Sequence, residues 1–166
     1  MRNFIAIPLL GLAVIVQSAI LGQFPLLSGT ADVVLVVLAA WALQESVTTS
    51  LHWALLAAVM VSLVSSLPWV IYVVGYVSVV VLALLLQRRV WQVPMLAMFI
   101  VTFAGTVLLH ALTYVYLSFS AGRVALSDAL GLVTLPSVLL NMLIAIPVFG
   151  FMRDVSNWVY PTAEAA

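Results

Sequence analysis

The sequence predicts an all-α polytopic membrane protein of about six transmembrane helices, folded as a single domain over residues 1–166. Three observations predict it. Hydrophobic residues make up 66% of the chain and charged residues only 6%, with a mean hydropathy of +1.33. Soluble domains carry about 25% charged residues, and so few charges cannot cover a water-exposed surface, so lipid must be the main solvent. The apolar residues fall into runs of the length needed to cross about 30 Å of hydrocarbon, parted by short stretches rich in Pro, Gly and polar residues. The arginines cluster at alternate junctions, as the positive-inside rule requires.

The first run, residues 4–21, follows Met1-Arg2-Asn3. It has the look of a signal peptide, but Gly22-Gln23-Phe24-Pro25 is a poor cleavage site and the rest of the chain is equally apolar, so a retained first span is expected. Pro8 lies one turn in, where a missing N–H costs little. The second run, 31–47, is apolar only to Leu43. At about 1.5 Å per residue it is too short to cross alone, and it must sit in a protein-packed position. The third run, 51–67, ends at Pro68, so a tight hairpin to the fourth, 69–86, is expected before Gln87-Arg88-Arg89. The fifth is 93–118 and the sixth 129–151, the latter with Pro136 and Pro147 inside it. With the N-terminus in the cytoplasm, six spans put Arg2, Arg88, Arg89 and Arg153 inside and only Arg123 outside, so both termini are expected in the cytoplasm. Trp69 and Trp91 stand at span ends, as interfacial anchors do.

Composition excludes several classes. Five arginines, no lysine and five acids give zero net charge, which argues against nucleic acid as a partner. There is no cysteine, hence no disulfide, thiol nucleophile or cysteine-bound metal. No Gly-rich phosphate loop, zinc-protease motif or Ser/His/Asp set is present. Neither catalysis nor a cofactor or metal is expected.

A few polar residues stand out in the apolar background. Asp32 opens the second helix, where an acid meets the positive end of the dipole and caps free N–H groups. It reads as a cap at the membrane edge or as an anchor for a partner or ligand. Glu45 and His52 flank a short turn and read as a solvated pair, since two ligands make a weak metal case. Thr102, Thr106, His110 and Tyr114 form a ladder at four-residue spacing on one face of the fifth helix. An ionisable group at membrane depth is a functional hypothesis, and the structural alternative bonds His110 to Thr106 or to a neighbouring helix. A proton carrier built on His110 would want further buried acids, and no span has one near its middle. Ala54, Ala58, Ser62 and Ser66 form a small-residue stripe of the kind that lets two helices approach closely, within the chain or with a partner. Asn141 lies between Pro136 and Pro147, each of which frees a carbonyl one turn back, and its amide is expected to bond such a carbonyl or a facing helix, or else to serve partner recognition.

The early run Ala31-Asp32-Val33-Val34-Leu35-Val36-Val37, in a cysteine-free chain of this length, resembles the rod-shape-determining MreD family. The closing run from Leu135-Pro136 through Asn141 to Pro147-Val148-Phe149, followed by Arg153, resembles that family's last segment. The likeness covers nearly the whole chain in length and span layout. In one respect the chain departs from the family, whose third helix commonly carries a Gly-rich stretch ending in an acid. Here residues 53–66 have Ala and Ser in place of both. The resemblance implies a bacterial inner-membrane protein of the cell-elongation machinery, a scaffold without catalysis that regulates peptidoglycan synthesis and cell shape. It implies MreC, a single-span protein, as partner, with MreB, RodA and a class B penicillin-binding protein further out. It also implies a fold similar to the substrate-binding subunits of energy-coupling-factor vitamin transporters. A vitamin-binding subunit is therefore the alternative, with a polar cavity near the outer face built from Tyr72, Tyr76 and Tyr114. Against it, the first span lacks an Ala-x-x-x-Ala coupling motif.

Overall fold

Every regular element among the described residues is a helix. The structure, a computed structural model, describes residues 5–19, 29–88, 93–120 and 125–160. Trp91, Arg2, Arg89 and Arg123 lie outside them. The helices are α1 (Ala6–Ala19), α2 (Val33–Ala42), α3 (Ser50–Val64), α4 (Trp69–Gln87), α5 (Pro94–Ser120) and α6 (Leu126–Val159). Three of them, α4, α5 and α6, are long and apolar enough to cross a membrane, at 19, 27 and 34 residues. α1, α2 and α3 are apolar but shorter, from 10 to 15 residues.

The outer surface is that of a helical membrane protein. Leu55, Val59 and Leu63 on α3, Val74, Val81 and Leu85 on α4, and Leu139, Leu143 and Ile146 on α6 are all exposed. Successive members lie on one face of each helix. A surface so apolar has no water-soluble explanation, and dispersion contacts with lipid tails satisfy it. Trp69, 64% exposed, stands at the first residue of α4.

α2 is the centre of the bundle. Every residue from Val34 to Leu43 is buried, and the helix contacts α1, α3, α4, α5 and α6. An all-apolar helix with no polar face is stable only when enclosed, which is how so short a segment is accommodated. The helix stops at Ala42, so the rest of the expected 31–47 span is the turn leading into α3. Trp41 of α2 stacks on Trp53 of α3, ring centroids 4.3 Å apart and planes 22° from parallel. At the same end Ser46 Oγ lies 2.9 Å from Ser156 Oγ, tying this turn to the last part of α6.

α3 and α4 form the hairpin expected at Pro68, joined by Ser65 to Pro68. α4 and α5 pack through reciprocal glycines. A Cβ on Gly75 would stand 2.5 Å from Leu109 Cδ1, and one on Gly105 would stand 2.6 Å from Val79 Cγ2. Each glycine is thus the hole for a knob on the other helix.

α6 runs further than the sequence suggests at both ends, and its start is irregular. Residues Ala129–Thr134 are π-helical, directly before Pro136. In a regular α turn the ring of Pro136 would clash with the carbonyl four residues back. The wider turn relieves this, and Leu135 N–H bonds the carbonyl of Leu130 instead. Pro147 sits inside the regular part of α6.

Candidate functional site

The segment before α2 brings the polar residues together. Residues 30–32 are not helical, so their N–H groups need partners from elsewhere. Two side chains one turn apart on α6 supply them. Thr30 N–H donates to Ser137 Oγ at 3.0 Å, and Asp32 N–H donates to Asn141 Oδ1 at 2.7 Å. Ser137 and Asn141 are fully buried. Gly29, at the start of this segment, lies against the backbone of α6: a Cβ there would meet Pro136 Cβ at 2.7 Å, Ser137 N at 2.8 Å and Val133 O at 2.9 Å.

Asp32 caps α2 as the sequence suggests, its Oδ1 accepting from Leu35 N–H at 2.9 Å. Two further groups join it. Tyr76 of α4, fully buried, donates its hydroxyl to the carboxylate, 3.3 Å from each oxygen. Gln17 of α1 accepts from Val34 N–H at 3.2 Å, satisfying another free N–H of the first turn. Asn141 also donates its amide to Thr106 Oγ1 at 2.9 Å, and Thr106 passes its own proton to the carbonyl of Thr102 at 2.7 Å. The start of α2 is thereby bonded to α1, α4, α5 and α6.

The expected ladder on α5 divides in two. Thr102 and Thr106 are buried in the packed interior, and Thr102 Oγ1 has no hydrogen-bond partner. His110 and Tyr114 line a cavity of about 380 Å³. His110 bonds α6 rather than Thr106: its Nδ1 lies 3.2 Å from Thr134 Oγ1, in the π-helical segment. The Thr134 hydroxyl also bonds the carbonyl of Ala129 at 2.9 Å. Its single proton serves that carbonyl, so the consistent tautomer carries hydrogen on Nδ1 and leaves Nε2 as an acceptor.

The cavity lies where α1, α3 and α5 finish and α2, α4 and α6 begin. Asp32, His110, Tyr72, Tyr114, Gln17 and Asp128 contribute its polar groups. Leu67, Leu109, Leu117, Leu132 and Val133 contribute apolar wall. Tyr72 donates to Ser65 Oγ at 2.7 Å, and its ring tilts against that of Tyr76 at 5.7 Å between centroids. Tyr76 does not line the space itself; it supports Asp32 from behind. A smaller cavity of about 230 Å³ adjoins, sharing Gln17, Thr30, Ala31 and Tyr72.

The remaining sequence candidates fall elsewhere. Ala54 and Ala58 are fully buried on α3, but Ser62 turns its hydroxyl to its own backbone carbonyl at Val59, and Ser66 lies beyond the helix end and is exposed. The buried face of α3 is instead Trp53, Ala54, Ala57, Ala58 and Val61. The spacing therefore follows i, i+1, i+4, where the sequence suggested strict steps of four. Pro136 is buried beside Gly29, and Pro147 is exposed. Glu45 and His52 are both exposed around the α2–α3 turn. Among the described residues no three His, Asp or Glu side chains come together as a metal would need.

Gln17, Ser137 and Thr134 were not singled out from the sequence. Gln17 carried a signal, as an amide within an apolar run, where every polar group needs a partner. Ser137 did too, one turn before Asn141 on the same helix face. No family model, curated protein or solved structure matches the chain.

Proposed function

We propose that the chain is a six-span protein of the bacterial inner membrane, with both termini in the cytoplasm, acting as a non-catalytic scaffold of the MreD type. In this reading it binds MreC and helps regulate peptidoglycan synthesis and cell shape, with MreB, RodA and a class B penicillin-binding protein as wider partners. One observation carries the reading. The two segments that bear the family resemblance, residues 31–37 and 135–149, lie about a hundred positions apart, and they are bonded to each other through Asp32 N–H and Asn141. A chance likeness of apolar helices has no reason to select the two halves of one polar junction. The alternation of helix starts and ends around the cavity supports the six-span topology.

Co-expression with an MreC-type partner tests the proposal. The two proteins are expected to co-purify in mild detergent, and recovery of this chain alone would overturn it. Reporter fusions at both termini test the topology: both are expected to report a cytoplasmic location.

The cavity favours a second reading, a small-molecule binding subunit of the energy-coupling-factor type. Tyr72 and Tyr114 line it together with Asp32, and its volume falls in the range of ligand sites, roughly 300–1,000 Å³. Thermal stabilisation by a vitamin would support this reading, and its absence across a vitamin panel would count against it.

A further inference from the structure

We propose that the cavity at the start of α2 binds an organic cation, an amine carried on an apolar body, with the amine seated on the carboxylate of Asp32. The inference rests on the second reading above, the cavity as a ligand site, and is independent of the scaffold reading. Three observations converge on this ligand class.

The first is the charge of the wall. Asp32 and Asp128 line the space, and among the described residues no lysine or arginine does. The neighbours of Asp32 are donors to it, Leu35 N–H and the Tyr76 hydroxyl, so its carboxyl acts as an acceptor. A partly buried carboxylate without a counter-charge is costly. An incoming ammonium supplies that charge and a charge-assisted hydrogen bond.

The second is unused acceptor capacity. A carboxylate offers about four lone-pair sites. Leu35 N–H uses one on Oδ1, the Val34 N–H also reaches the carboxyl, and the single Tyr76 proton is shared between the two oxygens at 3.3 Å. Oδ2 therefore has room for a stronger donor. The nearby His110, with Nδ1–H toward Thr134, offers Nε2 as a second acceptor in its neutral form.

The third is the shape of the rest. Leu109, Leu117, Leu132 and Val133 give the apolar wall that an alkyl or aryl body needs. Part of that wall belongs to the π-helical segment, an irregularity found often at functional sites. A carboxylate ligand would meet two acids and, among the described residues, no lysine or arginine.

The test compares three probes with the same body and different heads: phenethylamine, 2-phenylethanol and 3-phenylpropionate. Each is titrated by calorimetry into the full chain in phosphatidylcholine nanodiscs, with empty nanodiscs as blank. The amine is expected to bind at least about tenfold more tightly than the alcohol, with the acid weakest. In an Asp32→Asn variant, which keeps the helix cap, the preference for the amine is expected to vanish. If the alcohol or the acid binds as tightly as the amine, or the preference survives in Asp32→Asn, the cation assignment is wrong while the cavity remains a ligand site. If none of the three binds, the cation assignment falls, and the small-molecule reading stands or falls separately on the vitamin panel. The comparison on the unaltered chain decides by itself should the variant not fold.

Discussion

Replacing Asn141 by leucine removes the side chain that joins the start of α2 to α5 and α6, and its cost can be worked from the bonds it makes. Asn141 is fully buried and makes two hydrogen bonds, accepting from Asp32 N–H at 2.7 Å and donating to Thr106 Oγ1 at 2.9 Å. Leucine keeps the branched skeleton of asparagine but has bulkier methyl groups, so overpacking can only add to the cost and the polar terms set its floor. Thr106 keeps its bond to the carbonyl of Thr102 and loses only an incoming donor. Asp32 N–H has no other partner within the non-helical segment, and an orphaned buried donor costs about 1–3 kcal/mol. Side-chain bonds between membrane helices average about 0.6 kcal/mol, which sets the second contribution. Asn141→Leu is therefore expected to destabilise the protein by about 2 kcal/mol. Reversible unfolding in mixed micelles, followed by far-ultraviolet circular dichroism, measures it. A change below about 0.5 kcal/mol would refute the assignment of Asn141 as the junction. A double-mutant cycle with Thr106→Val isolates the second bond, and a coupling of about 0.5–1.5 kcal/mol is expected.

Three further outcomes follow from the same geometry. Gly29→Ala drives a methyl into the backbone of α6 and is expected to cost about 1–3 kcal/mol in the same unfolding assay, whereas Gly150→Ala, with open space around it, should be neutral or gain up to about 1 kcal/mol. Tyr76→Phe removes the hydroxyl that bridges both oxygens of Asp32. A loss of about 1 kcal/mol is expected, and an unchanged midpoint would show that the bridge does not hold. Leu143, 70% exposed near the middle of α6, is replaced by a charge in Leu143→Asp, which should reduce insertion of an isolated α6 segment by about 3–4 kcal/mol in a glycosylation-reporter assay, while normal insertion would contradict a membrane-spanning α6.

The helices were legible in the sequence because their signal is local. Long apolar runs and the breakers between them need no knowledge of neighbours, so α4 and α5 begin and end within two residues of expectation. Asp32 as a cap was legible for the same reason, since capping depends on residues three positions apart. α2 showed only its oddity from sequence. Its shortness said that it could not cross alone, and the remedy, enclosure by five other helices, is a property of the assembly. The start of α6 was hidden because a π turn has no composition of its own, and only Pro136 hinted that the backbone must depart from regularity there. The face of α3 was legible in part: Ala54 and Ala58 pack inside the bundle, and the row of four-residue steps leaves that face by Ser62 because a helix of 3.6 residues per turn drifts off it.

The polar junction and the cavity share residues, and that has a physical origin. The non-helical segment before α2 exposes backbone donors that an apolar bundle cannot satisfy, so side chains from other helices must reach it. Ser137, Asn141 and Gln17 do this for the backbone, and Tyr76 does it for the Asp32 cap. Polar side chains that converge on an interrupted helix leave spare acceptors, and the short α2 leaves space beyond its first turn. A break in the helical pattern thus creates both the need for a rigid clamp and the room for a ligand beside it. The two demands can be separated by mutation. Asn141 faces the clamp and is not among the cavity-lining residues, whereas Asp32 belongs to both. Asn141→Leu should therefore lower stability and leave the order of preference among the three probes intact in the folded fraction, whereas Asp32→Asn should abolish the preference with little loss of stability. If the two substitutions instead shift stability and probe preference in parallel, the clamp and the cavity are one structure, and the division of labour argued here is wrong.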